Sequence, residues 1–267
     1  MELKHKGKVR CLCHAKMTGA LNMAIDEALS LTVTKGPPVV RFYGFSPPTL
    51  SVGRFQKTQG VVMFHDLEKD GLDFVRRPTG GQAVLHDNEL TYSVILSRDH
   101  IEPFKKRQVY RFVSGLFIAA LQHMGIEASF SAARVGDHRH PDCFATTGEY
   151  EIINPSASKL IGSAQTTTRT ACLQHGSIPL GKSTYNAADY LETELPGSGN
   201  RPSALPPSDL EEELGRTVSF EEATLLFRRA FGECIPLRDS ELSSEEETLS
   251  RELAQSKYQD SAWNRAR

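Results

Sequence analysis

The stretch Arg76-Arg77-Pro78-Thr79-Gly80-Gly81-Gln82-Ala83-Val84-Leu85-His86 joins two arginines to a turn of small residues and a short apolar run. A glycine pair lets the backbone approach a ligand closely, because no Cβ intervenes. Successive N–H groups can then point at one oxyanion, and the flanking guanidinium groups can pair with a phosphate or a carboxylate. An ordinary hairpin turn also uses glycine pairs, so these residues by themselves leave both interpretations open.

Length and composition indicate a globular cytoplasmic protein. The chain has 267 residues, of which 39% are hydrophobic and 24% charged, enough for one large domain with a real core. It holds no apolar run long enough to cross a membrane, and residues 1–6 are charged with no apolar segment behind them, which argues against export. Five cysteines are few and odd in number, which favours free thiols in a reducing compartment.

Charge is unevenly distributed along the chain. Residues 1–111 carry a net charge of +6 and the remainder −8, within a total of −2. The run Lys105-Lys106-Arg107 could steer an acidic partner towards this half, or it could be the solvated face of a helix. The density of basic residues is too low for a nucleic-acid-binding protein.

Apolar periodicity predicts an α+β arrangement, a mixed sheet with helices packed against it. Strands are expected at 9–13, 39–43, 49–52, 74–76, 83–86, 89–96, 149–153, 159–164 and 172–179. Helices are expected around 22–29, 61–70 and 105–124, and from capping boxes at Ser219/Glu222 and Ser244/Glu247. Residues 129–148 are expected to form a surface loop. Residues 194–209 are rich in Pro, Gly and Ser and are expected to be a flexible linker.

Cys143 is the most reactive-looking of the five cysteines. It follows His138, Arg139 and His140, whose positive charge would favour the thiolate over the thiol. His138, His140 and Cys143 could instead be three metal ligands, although a structural zinc site needs a fourth that is not evident nearby. An incidental loop cysteine is the third interpretation.

Lys159 begins a strand of small residues and could point its ammonium group into a cleft, stabilising a carbonyl oxygen, a phosphate or a thiolate. A surface lysine at a strand start is the simpler local interpretation. The pair His175-Gly176 on the next strand could line the same cleft or be structural. Cys11-x-Cys13-His14 is a weak metal candidate within a strand expected to be buried, where cysteines act as small hydrophobic residues. Cys172 is read in the same way, and Cys234 is expected to pack at a helix end.

Several segments occur in the order found in the biotin/lipoate protein ligase superfamily, which this chain resembles from about residue 8 to its C-terminus. The matching segments are Asn22-Met23-Ala24-Ile25-Asp26-Glu27-Ala28, Arg41-Phe42-Tyr43, Leu50-Ser51-Val52-Gly53-Arg54-Phe55-Gln56, the Arg76–His86 stretch, Leu90-Thr91-Tyr92-Ser93, Lys159-x-x-Gly162-Ser163-Ala164-Gln165, Gln174-His175-Gly176-Ser177-Ile178 and Lys257-Tyr258 with Trp263. The resemblance implies one catalytic domain over residues 1–267, with mixed, largely antiparallel sheets, flanking helices and a helical part at 210–267.

Within that superfamily the chain is most similar to octanoyltransferases that carry a cysteine in the loop before the lysine strand. Cys143-Phe144, Tyr150-Glu151 and Lys159 fit that pattern, whereas the longer turn 154–158 and the pair His138-x-His140 depart from it. The resemblance implies no metal and no cofactor beyond the donor's phosphopantetheine. It implies acyl carrier protein as donor and a lipoyl domain, such as glycine cleavage H protein or a 2-oxoacid dehydrogenase E2, as acceptor, with no nucleic acid or membrane partner.

The same resemblance implies roles for individual residues. Cys143 would be the nucleophile, and Lys159 would neutralise its thiolate, polarise the octanoyl carbonyl, or both. The substrate-binding residues would be Arg76, Arg77, Thr79, Gly80, Gly81, His86, Gly162, Ser163, His175 and Gly176.

Three other functions use the same residues differently. An ATP-dependent lipoate ligase would need ATP and Mg²⁺ but not Cys143, yet residues 210–267 are too few for the additional C-terminal domain of many ligases. An amidotransferase between two lipoyl domains would need Cys143. In a binding or accessory protein with this fold, the cysteine, the lysine and the glycine turn would have no catalytic role.

Overall fold

The computed structural model describes residues 3–5, 7–131, 150–192 and 207–266. The strands are β1 (Val9–Met17), β2 (Val39–Phe45), β3 (Thr49–Val52), β4 (Asp73–Arg76), β5 (Val84–His86), β6 (Glu89–Ser97), β7 (Ser129–Phe130), β8 (Ile152–Ile153), β9 (Lys159–Thr167), β10 (Ala171–Pro179) and β11 (Leu237–Asp239). The α-helices are α1 (Gly19–Thr32), α2 (Phe64–Lys69), α3 (Lys106–His123), α4 (Leu210–Leu214), α5 (Phe220–Cys234), α6 (Ser244–Leu253) and α7 (Ser261–Asn264), with a π-helical turn at Ala254–Tyr258.

Two sheets organise these elements. The large sheet has the order β11-β1-β2-β6-β10-β9-β8-β7, parallel where β1 meets β2 and β11 and antiparallel from β2 onwards. The small sheet places β3 between β4, which is parallel to it, and β5, which is antiparallel. The α+β fold with mixed, largely antiparallel sheets is therefore confirmed.

Strand β6 shows why helices cover both faces of the large sheet. Its side chains alternate between the two faces, and all nine of its residues are buried. Tyr92 and Val94 pack in the core beneath α3 and α5, whereas Ile95 packs with Leu29 of α1 on the other face. A buried strand between two helical layers is expected to be apolar on both faces, so Thr91 and Ser93 on the α1 side are the exceptions that need a partner.

Helix α3 shows how one helical layer is held on the sheet. Val109, Val113 and Phe117 recur every fourth residue and are fully buried, which places them on a single face. The Phe117 ring meets the Phe231 ring of α5 edge-on, 4.6 Å between centroids. Burying each such side chain contributes about 1.5–3 kcal/mol, so this contact holds α3 against α5.

Several predicted boundaries are wrong. β1 extends to Met17, and the described residues of the expected strand 149–153 form a strand only at Ile152–Ile153, because Tyr150 and Glu151 are described but are not in a strand. The capping box of α6 is Ser243/Glu246, one residue before the expected one. Part of the expected loop, Ser129–Phe130, is a short strand, and the C-terminal part includes β11 as well as helices.

The expected linker 194–209 falls largely outside the described residues, but its last part is ordered. Ser208 N donates a hydrogen bond to Lys159 O (3.1 Å), and the Asp209 side chain caps α4. In the parts of the chain that the structure describes, no helix is long and apolar enough to span a bilayer.

Candidate functional site

A cavity lies where the small sheet faces β2, β6, β9 and β10 of the large sheet. Much of its wall is apolar, including Met23, Tyr43 and Phe45. The expected substrate-binding residues that line it are Arg77, His86, Gly162, Ser163, His175 and Gly176. The structure therefore brings together side chains from widely separated segments around one apolar space.

The turn Thr79–Gly81 follows the cavity-lining Arg77 but does not itself line the cavity, so its expected role in substrate binding stays a prediction. The turn depends on glycine at two positions. Gly81 has φ = +93°, a conformation that side chains rarely adopt. A Cβ on Gly53 would lie 1.9 Å from Gly81 O, so the neighbouring loop passes directly against the turn. Arg77 holds the turn from within, since its Nη2 donates to Gly80 O (3.0 Å) and Gln82 O (2.6 Å).

Arg76 does not line the cavity, and its expected role in substrate binding stays a prediction. Its side chain is 1% exposed, and Nη1 donates to the carbonyl oxygens of Gly53 and Gln56, each at 2.8 Å. Its Nε contacts Trp263 O at 3.1 Å, and Trp263 Nε1 donates back to Arg76 O at 2.8 Å. Arg76 therefore joins the loop after β3 to the C-terminal segment and does not line the cavity.

His175 forms a buried chain of hydrogen bonds behind the turn. Its Nε2 is 2.7 Å from Thr79 Oγ1 and its Nδ1 is 3.1 Å from Asp26 Oδ2. The carboxylate of Asp26 only accepts, so Nδ1 carries the proton. Burial lowers the pKa of His175 although Asp26 opposes the shift, so the ring is neutral near pH 7 and Nε2 accepts from the Thr79 hydroxyl.

Asp26 is the centre of this chain and is fully buried on α1. It accepts from Arg41 Nη1 at 2.9 Å and from Tyr43 OH and Ser93 Oγ, each at 2.8 Å. Burial by itself would raise the pKa of Asp26, but the bond from His175, the charge of Arg41 and the bond from Ser93 outweigh it and hold the pKa low. The carboxylate therefore stays ionised inside the protein.

Sequence reasoning assigned no role to Asp26, Arg41, Tyr43 or Ser93. All four stand in the segments that carry the family resemblance, which is the signal that could have identified them. An acidic residue among the apolar residues of α1 also needs a buried partner, and Arg41 fills that need.

His86 forms a second wall of the cavity. Its Nδ1 lies 2.6 Å from Glu89 Oε1 and its Nε2 lies 2.8 Å from Ser51 Oγ. The ring stacks on Phe45, 4.1 Å between centroids, and Glu89 also accepts from the hydroxyl groups of Thr91 and Ser177. Both nitrogens of His86 therefore have protein partners, and its ring face is the surface that it offers to a ligand.

Gly176 lets β9 and the Tyr92 ring pack closely against β10. A Cβ on Gly176 would lie 2.5 Å from Gly162 O and 2.6 Å from Tyr92 Cε1. Ser163 Oγ is 2.7 Å from Tyr92 OH, which fixes the serine at the cavity edge. Small residues of β9 and β10 therefore form this part of the cavity lining.

Lys159, at the start of β9, is 1% exposed and its Nζ is 2.7 Å from Glu151 Oε2. The interpretation of a surface lysine is therefore wrong. Cys143 lies outside the described residues, as do His138 and His140, so the pairing of Lys159 with Cys143 stays a prediction.

The other cysteines behave as packing residues, apart from Cys13, which is exposed. Burial raises the pKa of Cys172 to about 11, so its thiol stays protonated. His14 Nδ1 accepts from Arg41 Nε at 2.8 Å, and burial lowers its pKa to about 4. Among the residues that the structure describes, no group of three or more His, Cys, Asp or Glu side chains could hold a metal ion.

Comparisons with known proteins agree with this architecture. The chain is 38% identical to Octanoyltransferase LipM of Geobacillus kaustophilus and of Bacillus subtilis, each over 260 residues, 92% of this chain and 93% of the relative. It shares its fold with a crystal structure of lipoate-protein ligase A bound with ATP (24% identity, TM-score 0.77, covering 97% of this chain and 99% of that one). It also shares it with the bipartite lipoate protein ligase of Thermoplasma acidophilum (23%, TM-score 0.75, 97% and 96%). The family described as lipoyl protein ligase A/B catalytic domain matches residues 18–232, and the chain belongs to that family.

Proposed function

We propose that this protein is an octanoyltransferase of lipoate biosynthesis. It takes an octanoyl group from octanoyl-acyl carrier protein onto Cys143 and passes it to a lysine of a lipoyl domain. Support comes from the relatives that carry the octanoyltransferase name and from one observation above all. Gly162, Ser163 and Ala164 of β9 line the apolar cavity, and Lys159 begins that strand.

The cavity suits a saturated acyl chain. An octanoyl group has about six methylenes, and burying each contributes ~0.8 kcal/mol, roughly 5 kcal/mol of binding in total. The ring face of His86 and the apolar side chains Met23 and Phe45 supply that surface. Chain length would then be selected by the depth of the cavity.

The chemistry has two balanced steps. The Cys143 thiolate attacks the donor thioester carbonyl, a new C–S bond forms, and the phosphopantetheine sulfur leaves as a thiolate that takes up a proton. The neutral amine of the acceptor lysine then attacks the enzyme thioester, forming the amide and releasing the Cys143 thiolate, while the amine's proton passes to solvent. In this proposal the ammonium group of Lys159, which the structure pairs with Glu151, supplies positive charge next to the thiolate and the carbonyl oxygen.

This reaction needs no ATP and no metal. The reacting groups would be supplied by this chain and by the phosphopantetheine of the donor. We place it in the reducing cytoplasm, where a nucleophilic thiol stays free.

Intact-mass measurement tests the proposal. The protein is incubated with octanoyl-acyl carrier protein without ATP, and we expect a gain of one octanoyl group that hydroxylamine removes. The gain should be absent in Cys143→Ser and present in Cys13→Ser, which removes an exposed thiol instead. Modification of a lipoyl domain that requires ATP and survives Cys143→Ala would contradict the proposal and establish an ATP-dependent ligase.

A further inference from the structure

The first turn of α3 carries positive charge where helix stability does not favour it. Lys105, Lys106 and Arg107 are exposed at its start, and Arg111 follows one turn later. The turn has no acidic residue, and the side chain of Lys105 makes no capping hydrogen bond. Each cation opposes the helix dipole at a cost of about 0.3–1 kcal/mol, so helix stability does not account for this composition.

The C-terminal helices have the opposite charge in their first turns. α4, α5 and α6 begin with the capping side chains of Asp209, Ser219 and Ser243, and each has acidic residues in its first turn. In the described part of the chain Lys105, Lys106 and Arg111 take part in no ion pair. Their charge is therefore available to another molecule.

Two of these cations contact described residues next to the ends of the segment that contains Cys143. The guanidinium carbons of Arg107 and Arg111 lie 4.8 and 5.1 Å from the centre of the Tyr150 ring, and Arg111 also lies 6.0 Å from the Phe130 ring. Phe130 and Tyr150 stand close to the two ends of residues 132–149. An acyl group delivered at this face would arrive next to the described residues at which the segment holding the proposed nucleophile begins and ends.

We propose that this basic face of α3, formed by Lys105, Lys106, Arg107 and Arg111, docks the acidic protein that carries the acyl donor. The inference rests on the proposed function for the identity of the cargo, but the docking itself is a separate claim. Opposite charges on the two proteins raise their association rate. A donor that must dissociate after each transfer needs only a small contact, and such a charged contact is weakened by salt.

The double variant K105E/K106E tests the docking. Both residues precede the aromatic contacts, so the ends of the Cys143 segment keep Arg107 and Arg111. Acidic residues in a first helical turn favour the helix, so the variant should be at least as stable as the wild type. A loss of docking could not then be attributed to unfolding.

Binding is measured by titrating octanoyl-acyl carrier protein into the wild type, the double variant and a matched control, Arg229→Glu. Arg229 is exposed and lies near His123 at the other end of α3, roughly 27 Å away along the 18-residue helix. We expect the double variant to bind about tenfold more weakly and with less salt dependence, and the control to bind like the wild type. Thioester formation from octanoyl-pantetheine, which has no protein part, should be unchanged.

Several outcomes would overturn the docking claim. These are an unchanged dissociation constant in K105E/K106E, an equal loss in Arg229→Glu, an equal slowing with octanoyl-pantetheine, or weaker binding of the lipoyl domain alone. Salt-sensitive carrier binding that the double variant loses, without acylation of the wild type, would support the docking and count against the proposed chemistry instead.

Discussion

Replacing Asp26 by asparagine tests whether the buried chain behind the glycine turn holds the site together. Oδ1 accepts from Arg41 and Ser93, and Oδ2 accepts from Tyr43 and His175. An amide NH₂ at either position would face two donors. The substitution therefore removes the charge that compensates Arg41 and also creates a donor–donor conflict.

The expected loss of stability is large. Breaking a buried ion pair by neutralising one partner costs about 3–5 kcal/mol, because the remaining charge is left uncompensated. A domain of this size is stable by about 5–15 kcal/mol, so the loss is a substantial share of the total. The corresponding drop in Tm is roughly 6–20 °C, at about 2–4 °C per kcal/mol.

Urea unfolding of Asp26→Asn and of Ser93→Ala measures this difference. Ser93→Ala removes one hydroxyl donor and leaves the ion pair with Arg41, so its cost should be about 1 kcal/mol. A loss below about 1 kcal/mol in Asp26→Asn would refute the reasoning, since it would mean that Arg41 finds compensation elsewhere.

Three further substitutions or conditions probe other parts of the structure. Gly53→Ala should lower stability by about 1–3 kcal/mol and reduce octanoyl transfer, because its Cβ would displace the turn at Gly81; unchanged activity and unfolding midpoint would contradict this. The free energy of unfolding should fall as the pH drops from about 6.5 towards 4, and His14 should contribute at most about 3 kcal/mol to that fall, because its imidazole takes up a proton at a higher pH in the unfolded chain than in the folded one. Urea unfolding across this range should show a weaker dependence of the unfolding free energy on pH in His14→Gln. Trp263→Phe keeps an aromatic six-membered ring but removes the indole N–H that donates to Arg76 O, and calorimetry should show a cost of at least about 1 kcal/mol; an unaltered Tm would contradict this.

The elements that sequence predicts well are those with strong local patterns. The strands at 49–52 and 89–96 and the long helix at 105–124 are found within one or two residues. Short segments between turn residues identify the strands although every residue of both is buried, and four-residue spacing identifies the buried face of the helix. The capping box of α6 is displaced because Ser243/Glu246 and Ser244/Glu247 both satisfy the motif. Glu246 also pairs with Arg10 of β1, a tertiary contact that local sequence does not reveal.

The hydrogen-bond partners of the site residues could not be predicted from local sequence, because they too are tertiary contacts. Thr79 and His175 are 96 positions apart, and only the meeting of the small sheet with β10 brings them within 2.7 Å. Lys159 resembles a surface lysine until the chain reversal between β8 and β9 places Glu151 beside it. The family resemblance supplied the list of positions, and the tertiary structure supplied which of them touch.

The link from Arg76 to Trp263 and Asn264 has a consequence for how the protein is made. Arg76 Nε contacts the carbonyl oxygens of both residues, so the loop beside the glycine turn is secured by residues translated almost two hundred codons later. A nascent chain still tethered short of residue 264 lacks that support. Ligand binding to ribosome-bound chains halted before and after this point should therefore differ, even though every cavity-lining residue has already been synthesised.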